Sequence, residues 1–136
     1  AGVAVMLAAY QMGFIKGFLV GVLGIFVSGM FDPLYIYHWA QVIFDYPLAY
    51  GIYAICALVP NIKTKGYILP IGVIVANFAR FMSHNIGGWI FFADGYPGNV
   101  LWGVVGYNAT YMIPTTIVTF ILVMILIQRI KPNSIR

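Results

Sequence analysis

Charge is scarce in this chain of 136 residues: 7% are Asp, Glu, Lys or Arg, against 62% hydrophobic, and the mean hydropathy is +0.95. A water-soluble domain of this size cannot bury that much apolar surface, so the composition places the protein in a membrane and leaves no room for a soluble domain. The single cysteine, Cys56, excludes an internal disulfide and reads as packing among apolar neighbours. Neither a Walker-type phosphate loop nor an HExxH pattern is present. The chain opens on AGVAVMLAAY, with no initiator Met, basic segment or cleavage-site pattern, and is read as lacking an upstream segment.

What is present is a series of apolar runs. Each needs about 20 residues to cross about 30 Å of hydrocarbon. Hydropathy and turn signals predict five helices, near 2–15, 17–30, 40–60, 67–93 and 99–130, forming one transmembrane domain over 1–136. Six of the seven basic residues, Lys16, Lys63, Lys65, Arg129, Lys131 and Arg136, fall on GFIKG, PNIKTKG and the tail QRIKPNSIR. Alternate topology puts these on one side, and the positive-inside rule makes that side cytoplasmic, with the C-terminus. Asp32, Asp45 and Asp94 fall at or near the opposite face. The net charge of +4 thus describes topology and lipid contact and gives no support for nucleic-acid binding. An additional first helix would complete a six-helix protein with both ends inside. Gly13, Gly17 and Gly21, four apart, fit either close helix approach or a tight hairpin.

The stretch FARFMSHNIGGWIFFADGYPG holds Arg80 and His84 one turn apart in an apolar run. With His84 at zero and about 100° per residue, Asn77, Arg80, Gly88, Phe91 and Phe92 lie within about 80° of it, and Trp89 lies about 140° away. Ionisable residues in a bilayer face the protein interior or a wet cavity. Asp45 in VIFDYPLAYG and Asn108 in LWGVVGYNATYMIP reach the same outward level as His84, and Pro47 loosens the backbone beside Asp45. Tyr46, Phe91, Phe92, Trp102 and Tyr107 crowd that level. A carboxylate, an imidazole and an amide framed by aromatic rings suit a flat, cationic, hydrogen-bonding ligand. Against this stand structural roles: interhelical hydrogen bonds for Asp45, His84 and Asn108, and support from below for Arg80. His38 and Trp39 read as interface anchors or lid contacts.

VIFDYPLAYG, followed 39 residues after Asp45 by His84 in FARFMSHNIGGWIFF and then by GYNATYMIP, resembles the thiamine-specific S components (the ThiT/YuaJ family) of energy-coupling-factor vitamin transporters. The resemblance runs along the whole chain, from the second family helix to the sixth. It implies an all-α, six-helix S-component fold with the first helix missing here. It also implies a thiamine pocket open to the outside, and an energising module of one transmembrane subunit and two ATPase subunits. No cofactor, metal or catalytic residue is implied. By position it makes Asp45, Tyr46, His84 and Asn108 ligand residues, with Phe92 in place of a family tryptophan. Gly103 stands for a family tyrosine, with Trp102 or Tyr107 as substitutes, and Gly24 or Ile25 for a second tryptophan. Asp45 replaces a glutamate, a shorter reach with the same charge. Ala4 and Ala8 have the spacing of the first-helix docking motif but align with the second helix. Two other readings carry different expectations: an S component for another vitamin or thiamine precursor, independent of Asp45, and an intramembrane hydrolase using Asp45 and His84.

Overall fold

The computed structural model describes residues 2–95 and 97–130. Five helical segments follow one another: α1 (Gly2–Met12), α2 (Phe14–Gly29), α3 (Trp39–Leu58), α4 (Ile71–Phe91) and α5 (Val100–Ile127). A small antiparallel hairpin, β1 (Ile62–Thr64) and β2 (Tyr67–Leu69), joins α3 to α4. Among the described residues the architecture is all-α apart from that hairpin.

The helices turn much of their apolar surface outward. Leu23, Phe26, Phe78, Trp89 and Ile113 are each more than half exposed, an arrangement that suits hydrocarbon and not water. By length and composition α3, with 20 residues, and α5, with 28, can each cross a bilayer. Five helices are found among the described residues, as hydropathy predicts, and these two are the ones that meet both conditions. α2, at 16 residues, reaches about 24 Å, and α1 is described from Gly2 to Met12. α4 is long enough but is diluted by Asn77, Arg80, His84 and Asn85.

Two ends of the bundle differ. At the hairpin end the Tyr10 hydroxyl donates to Asn61 Oδ1 (3.3 Å), and Gln128 brackets Ile68, accepting from its N–H (3.1 Å) and donating to its carbonyl (2.7 Å). This end therefore gathers the α1–α2 junction, the hairpin and the end of α5, and with them Lys16, Lys63, Lys65 and Arg129. Lys131 and Arg136 lie outside the described residues. The opposite end carries the loop 30–38 and the described residues between α4 and α5, with Asp32 and Asp94. The dry core sits toward the hairpin end: Val5, Met6, Tyr10, Tyr53, Cys56 and Ile127 are among its fully covered side chains. Cys56 is buried there, its thiol donating weakly to the Met6 carbonyl at 3.7 Å.

Three local expectations change. The fourth helix begins at Ile71 and not near 67, because Lys65 and Gly66, the latter at φ +89°, close a two-residue turn that pairs Thr64 with Tyr67. The first linker shrinks to Gly13 alone, at φ +88°, and Lys16 lies inside α2. α3 is not uniform: it passes from α through a π-helical turn at Phe44–Leu48 into a 3-10 segment at Ile52–Leu58.

Gly21 is where α2 crosses α3. A Cβ there would stand 2.7 Å from the Tyr50 carbonyl oxygen, whereas one at Gly24 would meet nothing within 4 Å. Gly21→Val is expected to destabilise the protein by about 1–3 kcal/mol, since backbone cannot move aside as a side chain can. Gly24→Val is expected to lie close to wild type. Thermal unfolding in detergent, read for the two variants side by side, checks the difference.

Candidate functional site

The site begins with a proline. Pro47 has no N–H to offer, and the chain answers by widening into the π turn that carries Asp45. Ser83 of α4 donates to the Phe44 carbonyl at 3.2 Å, supplying a side-chain partner at this irregular turn. That bond also pins α3 to α4 one residue from Asp45 on one side and one from His84 on the other.

Asp45 is gripped at both oxygens. Oδ1 lies 3.4 Å from His84 Nδ1, and Oδ2 accepts from Gln41 Nε2 at 2.7 Å. His84 is held in turn by Arg80, whose Nε donates to His84 Nε2 at 3.1 Å. A guanidinium can only donate, so Nε2 accepts and the proton of the neutral ring lies on Nδ1, toward the carboxylate. The Arg80 guanidinium rests 4.8 Å from the Tyr53 ring centre and 5.2 Å from that of Tyr50. Two cation–π contacts and a hydrogen bond thus compensate a charge that lipid could not accommodate.

Across the gap, α5 contributes Asn108. Its Nδ2 donates to Asn85 Oδ1 at 3.0 Å, and its Oδ1 accepts from the Tyr111 hydroxyl at 2.6 Å. Tyr111 meets the rings of His84 and Tyr107 edge-on, at 6.2 and 5.8 Å. Gly88 permits the close approach of α4 and α5, since a Cβ there would lie 2.6 Å from Val104 Cγ1.

These side chains enclose a cavity of about 220 Å³ lined by Asp45, His84, Gly88, Phe92, Tyr107, Asn108 and Tyr111. Phe92 and Tyr107 also line an adjoining cleft of about 620 Å³ at the loop end, with Tyr35, Tyr37, Phe91 and Asp94. On the other side of Tyr111 lies a chamber of about 280 Å³ containing Arg80, Tyr50 and Tyr53. An apolar groove of about 350 Å³ follows the α4–α5 seam past Asn77 and Phe81, with too few polar groups to orient a polar ligand.

Of the residues expected from sequence, Asp45, His84, Phe92, Tyr107 and Asn108 meet around one cavity. Tyr46 and Trp102 do not line it. The Tyr46 hydroxyl accepts from the Tyr35 N–H (2.6 Å) and donates to the Tyr35 carbonyl (3.0 Å), so it anchors the loop. Trp102 is 70% exposed; six residues before Asn108, it lies about 120° around the helix from it. Gln41, Asn85 and Tyr111 were not expected. Gln41 and Tyr111 stand four and three residues from Asp45 and Asn108, the spacing that puts side chains on one helix face.

Comparison with known proteins follows the same residues. The model of the thiamine transporter protein family (Thia_YuaJ) matches residues 2–134. The chain belongs to this family. A relative, the thiamine transporter ThiT of Bacillus subtilis, is 27% identical over 91% of this chain and 71% of its own length. Membership makes this protein a membrane transporter and not an enzyme, which sets aside the hydrolase reading of Asp45 and His84.

Arg80 touches His84 but is not among the residues lining the cavity. Arg80→Gln is expected to lower the unfolding temperature more than it weakens ligand binding, because it strands two tyrosine faces and His84 Nε2. Paired unfolding and binding titrations check this. A large loss of affinity with unchanged stability would move Arg80 into the ligand set.

Proposed function

We propose that the protein captures thiamine in the Asp45 cavity from outside the cell and releases it inward when partner subunits hydrolyse ATP. The observation that carries this reading is the Asp45 carboxylate, held at both oxygens by donors and facing a cavity walled by Phe92, Tyr107 and Tyr111. Thiamine has two flat rings, one carrying a permanent positive charge and the other offering hydrogen-bonding groups. The carboxylate supplies the counter-charge, and the aromatic faces each contribute about 0.5–2 kcal/mol to binding a cation. Asn108 supplies amide hydrogen bonding at the same level. His84 has both nitrogens engaged within the protein, so its part is to set the carboxylate unless the ligand displaces Arg80 or Asp45 from it. Tyr46 acts through the loop, and Trp102 stands outside the ligand set.

The rest of the reading follows from topology. The chain forms one domain, 1–136, and corresponds to helices two to six of a six-helix S component, preceded by one further helix. The basic hairpin end faces the cytoplasm of a bacterial cell, with the C-terminus, and the loop end opens outward. The partners are an energising module of one transmembrane subunit and two ATPases. A second reading, a different vitamin or a thiamine precursor, draws on the cavity lining, in which the phenyl ring of Phe92 offers less stacking area than an indole.

Asp45→Asn keeps the shape of the site and removes its charge. Thiamine is expected to lose about 2–5 kcal/mol of binding, or about 30- to 5000-fold in affinity. An uncharged analogue of the same shape is expected to lose far less. Calorimetry on two proteins with two ligands makes the comparison. Equal losses would mean that Asp45 shapes the cavity without acting as a charge, and no loss for either would take it out of the site.

A further inference from the structure

We propose that Gln41 is a positioning residue that ties the loop 30–38 to Asp45, so that closing this loop and retaining the ligand are one event. The inference rests on the reading that a cation binds at Asp45, and it goes beyond that reading in naming the residue that transmits occupancy to the loop.

Gln41 is 1% exposed, and its hydrogen-bonding groups are all directed. A primary amide has two N–H donors and one carbonyl acceptor. Here Nε2 donates to Asp45 Oδ2 at 2.7 Å and to the Tyr35 carbonyl at 3.2 Å, while Oε1 accepts from the Tyr37 N–H at 3.1 Å. One side chain therefore holds the carboxylate and two backbone positions of the loop. The Tyr46 hydroxyl adds a second clamp on Tyr35, from the residue next to Asp45.

The loop so held forms a wall of the route to the site. The Tyr35 and Tyr37 rings pack 6.3 and 5.9 Å from Phe92, which lines both the cavity and the cleft above it. His38 begins α3 by accepting from the Ala40 N–H, and its ring stacks on Phe91 at 5.5 Å.

The coupling follows from bond strengths. The Gln41 bond to an ionised carboxylate is charge-assisted and is the shortest of the three. A bound cation fixes that carboxylate, the carboxylate fixes the amide, and the amide fixes the loop backbone at Tyr35 and Tyr37. Freeing the loop alone would leave the buried amide with unpaired groups. Opening therefore requires Gln41 to turn, which disturbs Asp45.

The test is hydrogen exchange at the Tyr37 amide, with stopped-flow measurement of thiamine dissociation. In the wild type, saturating thiamine is expected to slow Tyr37 exchange about 10-fold or more. Gln41→Met, similar in size but unable to make these bonds, is expected to bind thiamine with dissociation about 10-fold faster and no ligand-induced slowing at Tyr37. Thiamine binding to the wild type with Tyr37 exchange unchanged would overturn the inference and leave the proposed function standing. That arm needs no variant to fold. A Gln41→Met protein that keeps the wild-type dissociation rate and loop response would also overturn it. No thiamine binding to the wild type would overturn both readings.

Discussion

One carboxylate in an apolar bundle organises the structure around it. Asp45 would be costly in hydrocarbon, and the protein meets that cost with donors from two directions: Gln41 from its own helix and His84 from the next. Each donor needs its own support. His84 is backed by Arg80, and Arg80 by the faces of Tyr50 and Tyr53; Gln41 is backed by the loop backbone. The chain of contacts reaches from the loop, through the cavity, to Tyr53 in the dry core. A perturbation at Asp45 therefore has a physical path to the loop, whereas the packing around Met6 and Cys56 lies at its far end.

The bundle is divided accordingly. Toward the hairpin, small and aliphatic residues close the interior together with Tyr10 and Tyr53. Toward the loops, the same helices carry amides, hydroxyls and rings around open space. α4 spans both halves, which explains why it is long but only moderately apolar. The π turn in α3 belongs to the same division, since it lies at the level of the cavity and its carbonyl at Phe44 is satisfied by Ser83. In a transporter family, irregular backbone at this depth fits a helix that lines a binding cavity and does not merely face lipid.

Much of this was legible in the sequence where a simple period applies. Helical spacing brought His84 and Gly88 to one face and put Arg80 below them, and the level shared by Asp45 and Asn108 followed from counting turns. Spacing put Phe91 and Phe92 on that face together, and the end of the helix separates them. α4 ends at Phe91, and Phe92, at φ −126° and ψ 19°, leaves the helical path, so Phe92 and not Phe91 lines the inner cavity. Trp102 was grouped with Asn108 by its level and as a substitute for the family tyrosine at Gly103, whereas its angle of about 120° from Asn108 puts it on another face. The hairpin was hidden because YIL reads equally well as the start of an apolar helix, and only the Lys65–Gly66 turn decides it. Gln41 was legible in principle, four residues before Asp45, but an amide beside a loop gives no sign in sequence of how many partners it holds.

Native mass spectrometry of the full-length protein, purified from cells without added ligand, tests the central claim most directly. The account predicts one molecule with the mass of thiamine per chain, lost when Asp45 is replaced by Asn. A bound riboflavin, biotin or other vitamin without a positive charge, retained in that variant and not displaced by thiamine, would contradict it.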